Sequence, residues 1–327
     1  MRTALIYNPS AGRGQGGAIA AAVERGLSKR GLDVQLHATG GPEDAVVIAR
    51  RLAPEVDIIV AVGGDGTINE VANGMAGGES VAAATAAAAG VRPTGAGARS
   101  TGAAGDPAVL VAPQRKALLG IVPAGTVNVL ALELGLPFQV ERACDVIAGG
   151  KTISLDLGEV NGRWFVLMMG AGIDALTVRN LDLGAKRRYK ELAFVGAGLK
   201  SGLSEPPPAF LVRVDGREYR ATFFVAGNSR HYAGHLGITP SADPTDGVLD
   251  LVLFNGTTRS SLAVFWLEVP SGLHLHNPNV TYLRAEGAEL IPLDGAETIW
   301  FQTDGELAGR LPATVKIDPH ALEVLVP

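Results

Sequence analysis

The residues best placed to do chemistry in this chain stand in 62-VGGDGTINEVANGM-75, where glycines surround a single carboxylate, Asp65. Glycine-rich turns between strand and helix let backbone N–H groups approach phosphate oxygens. A carboxylate beside phosphate is repelled unless a cation lies between them. Two more loops carry glycine in the same way, 8-NPSAGRGQGG-17 and 123-PAGTVN-128, and each follows a short apolar run. Three such loops at the carboxyl edge of one parallel sheet predict a polyphosphate site. Asp65 would then hold Mg²⁺ or its water shell, and the metal would bridge to phosphate. The plainer reading makes Asp65 a turn carboxylate that caps the next helix. A P-loop is excluded, because no loop supplies the lysine of GxxxxGK[ST]. The letters GxGxxG do occur at 12-GRGQGG-17, but after Asn-Pro. The second strand ends in His37-Ala38-Thr39 rather than an acid, which argues against a dinucleotide site.

The elements that must position these loops are legible in the apolar spacing. TALIY (3–7), DVQLHAT (33–39), VDIIVAVG (56–63) and ALLGIVP (117–123) read as strands, the third buried on both faces. Between them, Ile19, Val23 and Leu27, then Ala45, Ile48, Ala49 and Leu52, then Ile68, Val71, Ala72 and Met75 repeat at helical intervals. Val127, Leu130, Ala131 and Leu134 predict another helix, and Val140, Ala143, Cys144 and Ile147 a last one, with Cys144 a small core residue. This alternation predicts an open, mostly parallel α/β sheet over residues 1–148. Beyond Lys151 the rhythm changes to short strands around Asn161-Gly162, Asp215-Gly216 and Asp294-Gly295, which predicts an antiparallel β-sandwich over 149–327. The terminal ALEVLVP suits either half. Residues 76–116 are low in complexity, rich in Ala, Gly and Thr, and read as a loop without assigned chemistry.

Bulk properties narrow the class. The chain has 327 residues, enough for two cores, and a formal net charge of −5, which excludes general attraction to nucleic acid. Its one cysteine forms no internal disulfide and no zinc spacing occurs, so a reducing, cytoplasmic setting is expected. The first residues carry no signal-peptide pattern, and no apolar run approaches the roughly 18 residues that span a bilayer.

Taken together, 8-NPSAG-12, Thr39, 63-GGDGTINEVANG-74, 123-PAGTVNVLALELGLP-137, 152-TISLDLGEVNGRWFVLMMGAGIDA-175, 243-DPTDGVLDLVL-253 and 304-DGE-306 resemble the diacylglycerol kinase catalytic-domain family. That family comprises lipid kinases, bacterial diacylglycerol kinases and sphingosine kinases among them. The resemblance covers nearly the whole chain except 76–116. It implies an NAD-kinase-like α/β domain followed by a β-sandwich, with ATP as phosphate donor and Mg²⁺ as cofactor. Its ATP-contacting positions correspond to Asn8, Pro9, Ser10, Ala11, Gly12, Thr39, Gly64, Asp65, Gly66, Thr67, Ile68, Asn69, Glu70 and Thr126. Its structural Mg²⁺ site corresponds to the carboxylate of Asp246 and the carbonyls of Asp243 and Val248. Glu306 matches its general base, with Asp65 opposite in the cleft. The implied partner is a lipid substrate, most simply diacylglycerol, met at the inner membrane surface, and a homodimer is compatible. Leu132 stands where many relatives have arginine, and Ala233 and His235 where glycines are common.

Other residues admit two readings each. Asp174, in GAGID, contacts the acceptor or merely ends a strand. His231 and His235 sit at i, i+4, but no third ligand is evident, so a metal reading is weak. The run 186-KRRYK-190 is a solvated helix face or a docking site for anionic lipid. NAD kinase shares GGDGT on a similar domain, but the TDG-x-LD and DGE segments argue against that reading. A degenerate nucleotide-binding protein without catalysis is the reading from outside enzymes.

Overall fold

The computed structural model of the chain describes residues 1–77, 117–175, 208–232, 234–293 and 298–327. The 78–116 part of the low-complexity segment, the 186–190 basic run, Ala233 and the Asp294-Gly295 turn lie outside these residues. The first half runs β1 (Arg2–Tyr7), α1 (Ala11–Gly14), α2 (Gly16–Lys29), β2 (Asp33–Ala38), α3 (Asp44–Leu52), β3 (Ile58–Gly63), α4 (Asp65–Ala76), β4 (Leu118–Pro123), α5 (Val129–Glu133) and α6 (Val140–Gly149). The second half opens with β5 (Thr152–Val160), β6 (Arg163–Phe165), β7 (Met168–Gly172), β8 (Phe210–Val214), β9 (Arg217–Ala221), β10 (Phe223–Gly227) and β11 (Leu249–Phe254). It closes with α7 (Arg259–Glu268), β12 (Val280–Ala285), β13 (Gly287–Pro292), β14 (Trp300–Thr303), β15 (Glu306–Arg310) and β16 (Ala313–Leu325).

Strands β2, β1, β3 and β4 lie side by side and parallel, as the alternating rhythm predicts. Successive side chains of a strand point to opposite faces, and here both faces are covered. Ala4, Ile6, Ile59, Ala61, Leu119 and Ile121 share a core with α3 and α4. Leu5, Ile58, Val60, Val62 and Val122 share another with α2 and α6, where Cys144 is fully buried. All six residues of β3 are buried, the reason its sequence is an unbroken apolar run.

The antiparallel half forms a six-stranded sheet in the order β12-β11-β10-β7-β14-β15. Its inner face packs on β8, β13 and the first part of β16 through Phe210, Phe224, Leu251, Leu290, Phe301 and Val315. The hairpins at Asn161-Gly162 and Asp215-Gly216 have positive φ at both central residues, 49° and 88°, then 48° and 75°. Only Asn, Asp and Gly adopt that geometry cheaply, which is why those dipeptides mark the turns. Asp304-Gly305, at 48° and 84°, joins β14 to β15 in the same way.

Two features depart from the sequence expectation. The last strand, compatible with either half, belongs to both: β16 pairs with β13 and β5 and then reaches β4 in parallel, Val324 opposite Leu119. The parallel sheet and one layer of the sandwich are therefore a single ten-stranded sheet, β5 and β6 included. The helix expected through 127–134 is shortened to Val129–Glu133. Asn128 takes φ 57° and exchanges two hydrogen bonds with the backbone of Gly125, at 2.9 and 3.0 Å, so the loop consumes the first helical turn.

Candidate active site

The three glycine loops do meet. They leave the carboxyl ends of β1, β3 and β4, which are neighbours in the sheet. Ala124 donates its N–H to the Gly63 carbonyl at 2.8 Å, and a Cβ on Gly125 would collide with Gly64 Cα. Only glycine permits that approach. In the first loop, Asn8 folds into a turn whose side-chain oxygen accepts the Ser10 N–H at 2.8 Å, while Pro9 and Ser10 stay exposed. Ala11 donates to the Asn8 carbonyl, and Gly12, at φ 59°, faces the Ala124 carbonyl. Thr39 donates its N–H to the Tyr7 carbonyl at 2.9 Å, which sets it beside the same edge, and Thr126 is exposed at the tip of the third loop.

Asp65 opens α4, and its Oδ1 accepts the N–H of Leu130 at 3.3 Å in the first turn of α5. It thus caps a helix from the neighbouring loop rather than its own. Burial raises its pKa above the ordinary carboxylate value, against the pull of the α5 amides. Of the other positions on α4, Ile68 and the buried Thr67 turn inward, whereas Asn69 and Glu70 reach the cleft. Glu70 accepts the N–H groups of Glu43 (3.1 Å) and Ala45 (3.2 Å), capping α3. Desolvation raises its pKa, and the nearby charge of Glu306 adds to the effect.

Glu306 arrives from the other sheet. Its Oε1 lies 3.4 Å from where a Gly66 Cβ would sit, so the carboxylate stands over the start of α4. A cavity of about 320 Å³ opens here, lined by Pro42, Glu43, Val46, Asn69, Glu70, Asn73, Arg163 and Glu306. Arg163 is buried, and its Nη2 meets Glu306 Oε2 at 3.1 Å.

Several residues that hold these elements together had no individual role assigned from the sequence, Asp304, Asn73 and Glu133 among them. Asp304 Oδ1 accepts the N–H groups of Leu167 and Met168, both at 2.9 Å, and its Oδ2 those of Val166 (2.8 Å) and the Asn69 side chain (2.6 Å). Desolvation raises its pKa, although these four donors oppose the rise. On α4, Asn73 exchanges two 3.0 Å hydrogen bonds with the backbone of Trp164. Asn69 and Asn73, spaced i, i+4, thus clasp the second half of the chain along one helix face. That spacing was visible; its partner was not. Glu133, at the end of α5, accepts from Ser229 Oγ (2.6 Å), Arg230 Nε (2.7 Å) and His231 Nδ1 (2.8 Å). His231 is therefore held by an acid, and its ring lies edge-on to that of His235. Asp174 is fully buried, accepting from the Tyr232 hydroxyl and from Gln302 Nε2. Burial pushes its pKa up to about 6 against those two hydrogen bonds.

Residues 2–160 match the model of the diacylglycerol kinase catalytic domain, and residues 168–326 that of the YegS C-terminal NAD kinase beta sandwich-like domain. The chain thus carries a match to the diacylglycerol kinase catalytic domain in its first half and to the YegS-type C-terminal domain in its second. Among its relatives, a diacylglycerol kinase of Bacillus subtilis (strain 168) is 27% identical over 95% of this chain and 91% of its own. One of Staphylococcus carnosus (strain TM300) is 26% identical over 100% and 95%. A crystal structure from Bacillus anthracis str. Sterne superposes with a TM-score of 0.76 at 21% identity, over 100% of this chain and 95% of that one. At that identity the likeness speaks for the fold.

The turn that corresponds to the family's structural metal site is closed by protein groups. The Asp246 carboxylate pairs with Arg284 and also accepts the Val248 N–H at 3.2 Å. The Asp243 carboxylate accepts the N–H (3.0 Å) and hydroxyl (2.7 Å) of Thr245. Gly247 is anchored on Asp156, a fully buried acid that sequence reasoning passed over because it occupies a polar position in the alternation of TISLDLGEV. Arg284 thus supplies positive charge to the one carboxylate of the expected set, whose other two members, Asp243 and Val248, would act through backbone carbonyls. None of Asp243, Asp246 and Val248 lines the cavity. The fit at the glycine loops differs. Mg²⁺ there would need only one or two carboxylates beside water and phosphate oxygens, and Glu306 stands over Gly66, the chain neighbour of Asp65. No cluster of three or more acid, His or Cys side chains around one point occurs among the described residues.

Proposed function

We propose that the chain is an ATP-dependent lipid kinase that transfers the γ-phosphate to a lipid hydroxyl, with diacylglycerol as acceptor and phosphatidic acid as product. The observation that carries the reading is the placement of Glu306, from β15, against Gly66 in the GGDGT loop, residues far apart in the chain. Support for the donor comes from three glycine loops at one sheet edge, the start of α4 among them, where N–H groups and the helix dipole suit phosphate. Support for the acceptor comes from the relatives' names and from a cavity with Glu306 within it whose lining includes the apolar Pro42 and Val46. In the reaction Glu306 accepts the proton of the acceptor hydroxyl as its oxygen bonds to the γ-phosphorus, and the bond to the β-phosphate oxygen breaks to release ADP. Arg163 holds the Glu306 carboxylate at the cavity. Asn69 and Asp304 keep α4 and the β14–β15 turn in register. Bound Mg²⁺ would supply charge neutralisation at the phosphates, with Asp65 as its nearest carboxylate on the nucleotide side. Reaching a lipid implies visits to the membrane surface, since no helix among the described residues is long and apolar enough to cross a bilayer.

The test is phosphate transfer from radiolabelled ATP to diacylglycerol, ceramide, sphingosine, undecaprenol and NAD, each measured with wild type and Glu306→Gln. Diacylglycerol is expected to be labelled, and Glu306→Gln to lower kcat by about 10²–10⁴-fold with nucleotide affinity retained. Labelling of NAD alone would support the NAD kinase reading, which the description of the second matched domain brings to mind. ATP binding without labelling of any acceptor would indicate a non-catalytic protein.

A further inference from the structure

Glu306 follows a two-residue turn, and both turn residues are tied down from different sides. Asp304 is held by Asn69 of α4 and by the β6–β7 link. Gly305 donates its N–H to Gln302 Oε1 at 2.7 Å. Gln302 is 1% exposed, and its Nε2 donates to Asp174 Oδ2, also at 2.7 Å. Asp174 is 0% exposed, and its other oxygen accepts the Tyr232 hydroxyl. Strand β7 makes room for this carboxylate: a Cβ on Gly170 would overlap Asp174 Oδ2.

The chemistry of these groups gives the chain of bonds a direction. An ionised carboxylate only accepts, so it selects the NH₂ side of the Gln302 amide. The amide carbonyl must then face the other way, toward the Gly305 N–H. A flipped amide would set its NH₂ against that N–H and leave a buried donor unpaired. We infer that Gln302, oriented by Asp174, is a positioning residue for the reaction, fixing the Asp304-Gly305 turn and with it the direction in which Glu306 presents its carboxylate to the GGDGT loop. The inference rests on the reading of Glu306 as general base. It also gives Asp174 a place that neither of its two sequence readings offered: it touches no reacting group and acts through Gln302 and Gly305.

The experiment measures kcat and KM for ATP and for a short-chain diacylglycerol in detergent micelles, using full-length Gln302→Leu, Glu306→Gln, their combination, and the exchanged pair Asp174→Asn with Gln302→Glu. Gln302→Leu is expected to lower kcat by about 10- to 100-fold, the usual effect of a small misplacement, with KM for ATP unchanged. Added to Glu306→Gln it should cause no further loss, because both changes act on one group. The exchanged pair restores both hydrogen bonds: the amide introduced at position 174 donates, and the carboxylate introduced at position 302 accepts from it and from the Gly305 N–H. Its kcat should return to within about threefold of wild type, the range left by a small residual misfit. Gln302→Leu at wild-type kcat, losses that multiply in the combination, or an exchanged pair that folds but stays slow would each overturn the proposal. So would an Asp174→Asn enzyme whose acceptor KM rises at constant kcat, since Asp174 would then contact the lipid. If Gln302→Leu does not fold, the exchanged pair and Asp174→Asn carry the test. Full activity in Glu306→Gln alone would remove the general-base reading itself, whereas its loss beside an unaffected Gln302→Leu strikes only the positioning role.

Discussion

Single carboxylates in this chain differ by surroundings rather than by type. Asp65, Glu70, Asp174 and Asp304 all have raised pKa values, each dominated by desolvation and opposed by hydrogen bonds. Asp174 permits a direct test, because its value rises from 3.8 to about 6. Between those two values the folded chain holds a proton that the unfolded chain has released. Stability from this group is therefore greatest below the unfolded value and declines as pH rises through about 4 to 6, by roughly 3 kcal/mol in all. Asp174→Asn removes the titration while keeping the shape. The melting temperature of the variant should rise relative to wild type on going from pH 4 to pH 7, measured by calorimetry. A difference that stays constant with pH would mean that Asp174 is not shifted.

At the level of elements, α4 does two tasks at once. Its first turn carries Asp65 and Gly66 to the loop site, and its next two turns present Asn69 and Asn73 to the second half of the chain. The helix thus couples the GGDGT loop, the Glu306 turn and β6, which bears Arg163. Asn73→Leu leaves both backbone groups of Trp164 without partners in a partly buried place, at a cost of about 2–4 kcal/mol. A fall of several degrees in melting temperature is expected, with a lower kcat in the surviving folded enzyme as Arg163 and Glu306 lose register. An unchanged melting temperature would mean that water replaces the Asn73 side chain without penalty.

On the scale of the molecule, the shared strand decides how the halves behave. Because β16 pairs with β4 as well as with β5 and β13, separating 1–148 from 149–327 would strip β4 of a neighbouring strand and cut the ten-stranded sheet in its middle. We expect one cooperative unfolding transition. The three tryptophans, Trp164, Trp266 and Trp300, all lie in the second half, whereas most helices among the described residues lie in the first. Tryptophan fluorescence and far-ultraviolet circular dichroism thus report different halves, and their denaturant midpoints should coincide. Two separated midpoints would show that the halves unfold independently.

What could be read from the sequence were the parts written in local terms. Strand β3 is an apolar run because it is buried on both faces, and the Asn-Gly and Asp-Gly pairs mark turns because few residues accept positive φ. The glycine loops also announced themselves, since close backbone approach needs glycine wherever the partner comes from. What only the tertiary structure decided were partners distant in the chain. Asp65 caps the helix at 129–133, Arg284 pairs with Asp246, and Arg163 meets Glu306 across the cleft. Gln302 and Asp174 gain a role only through the turn between them and Glu306. A residue's type states which bonds it can make; the sheet order that brings β4, β16 and β5 together selects which of them it does make.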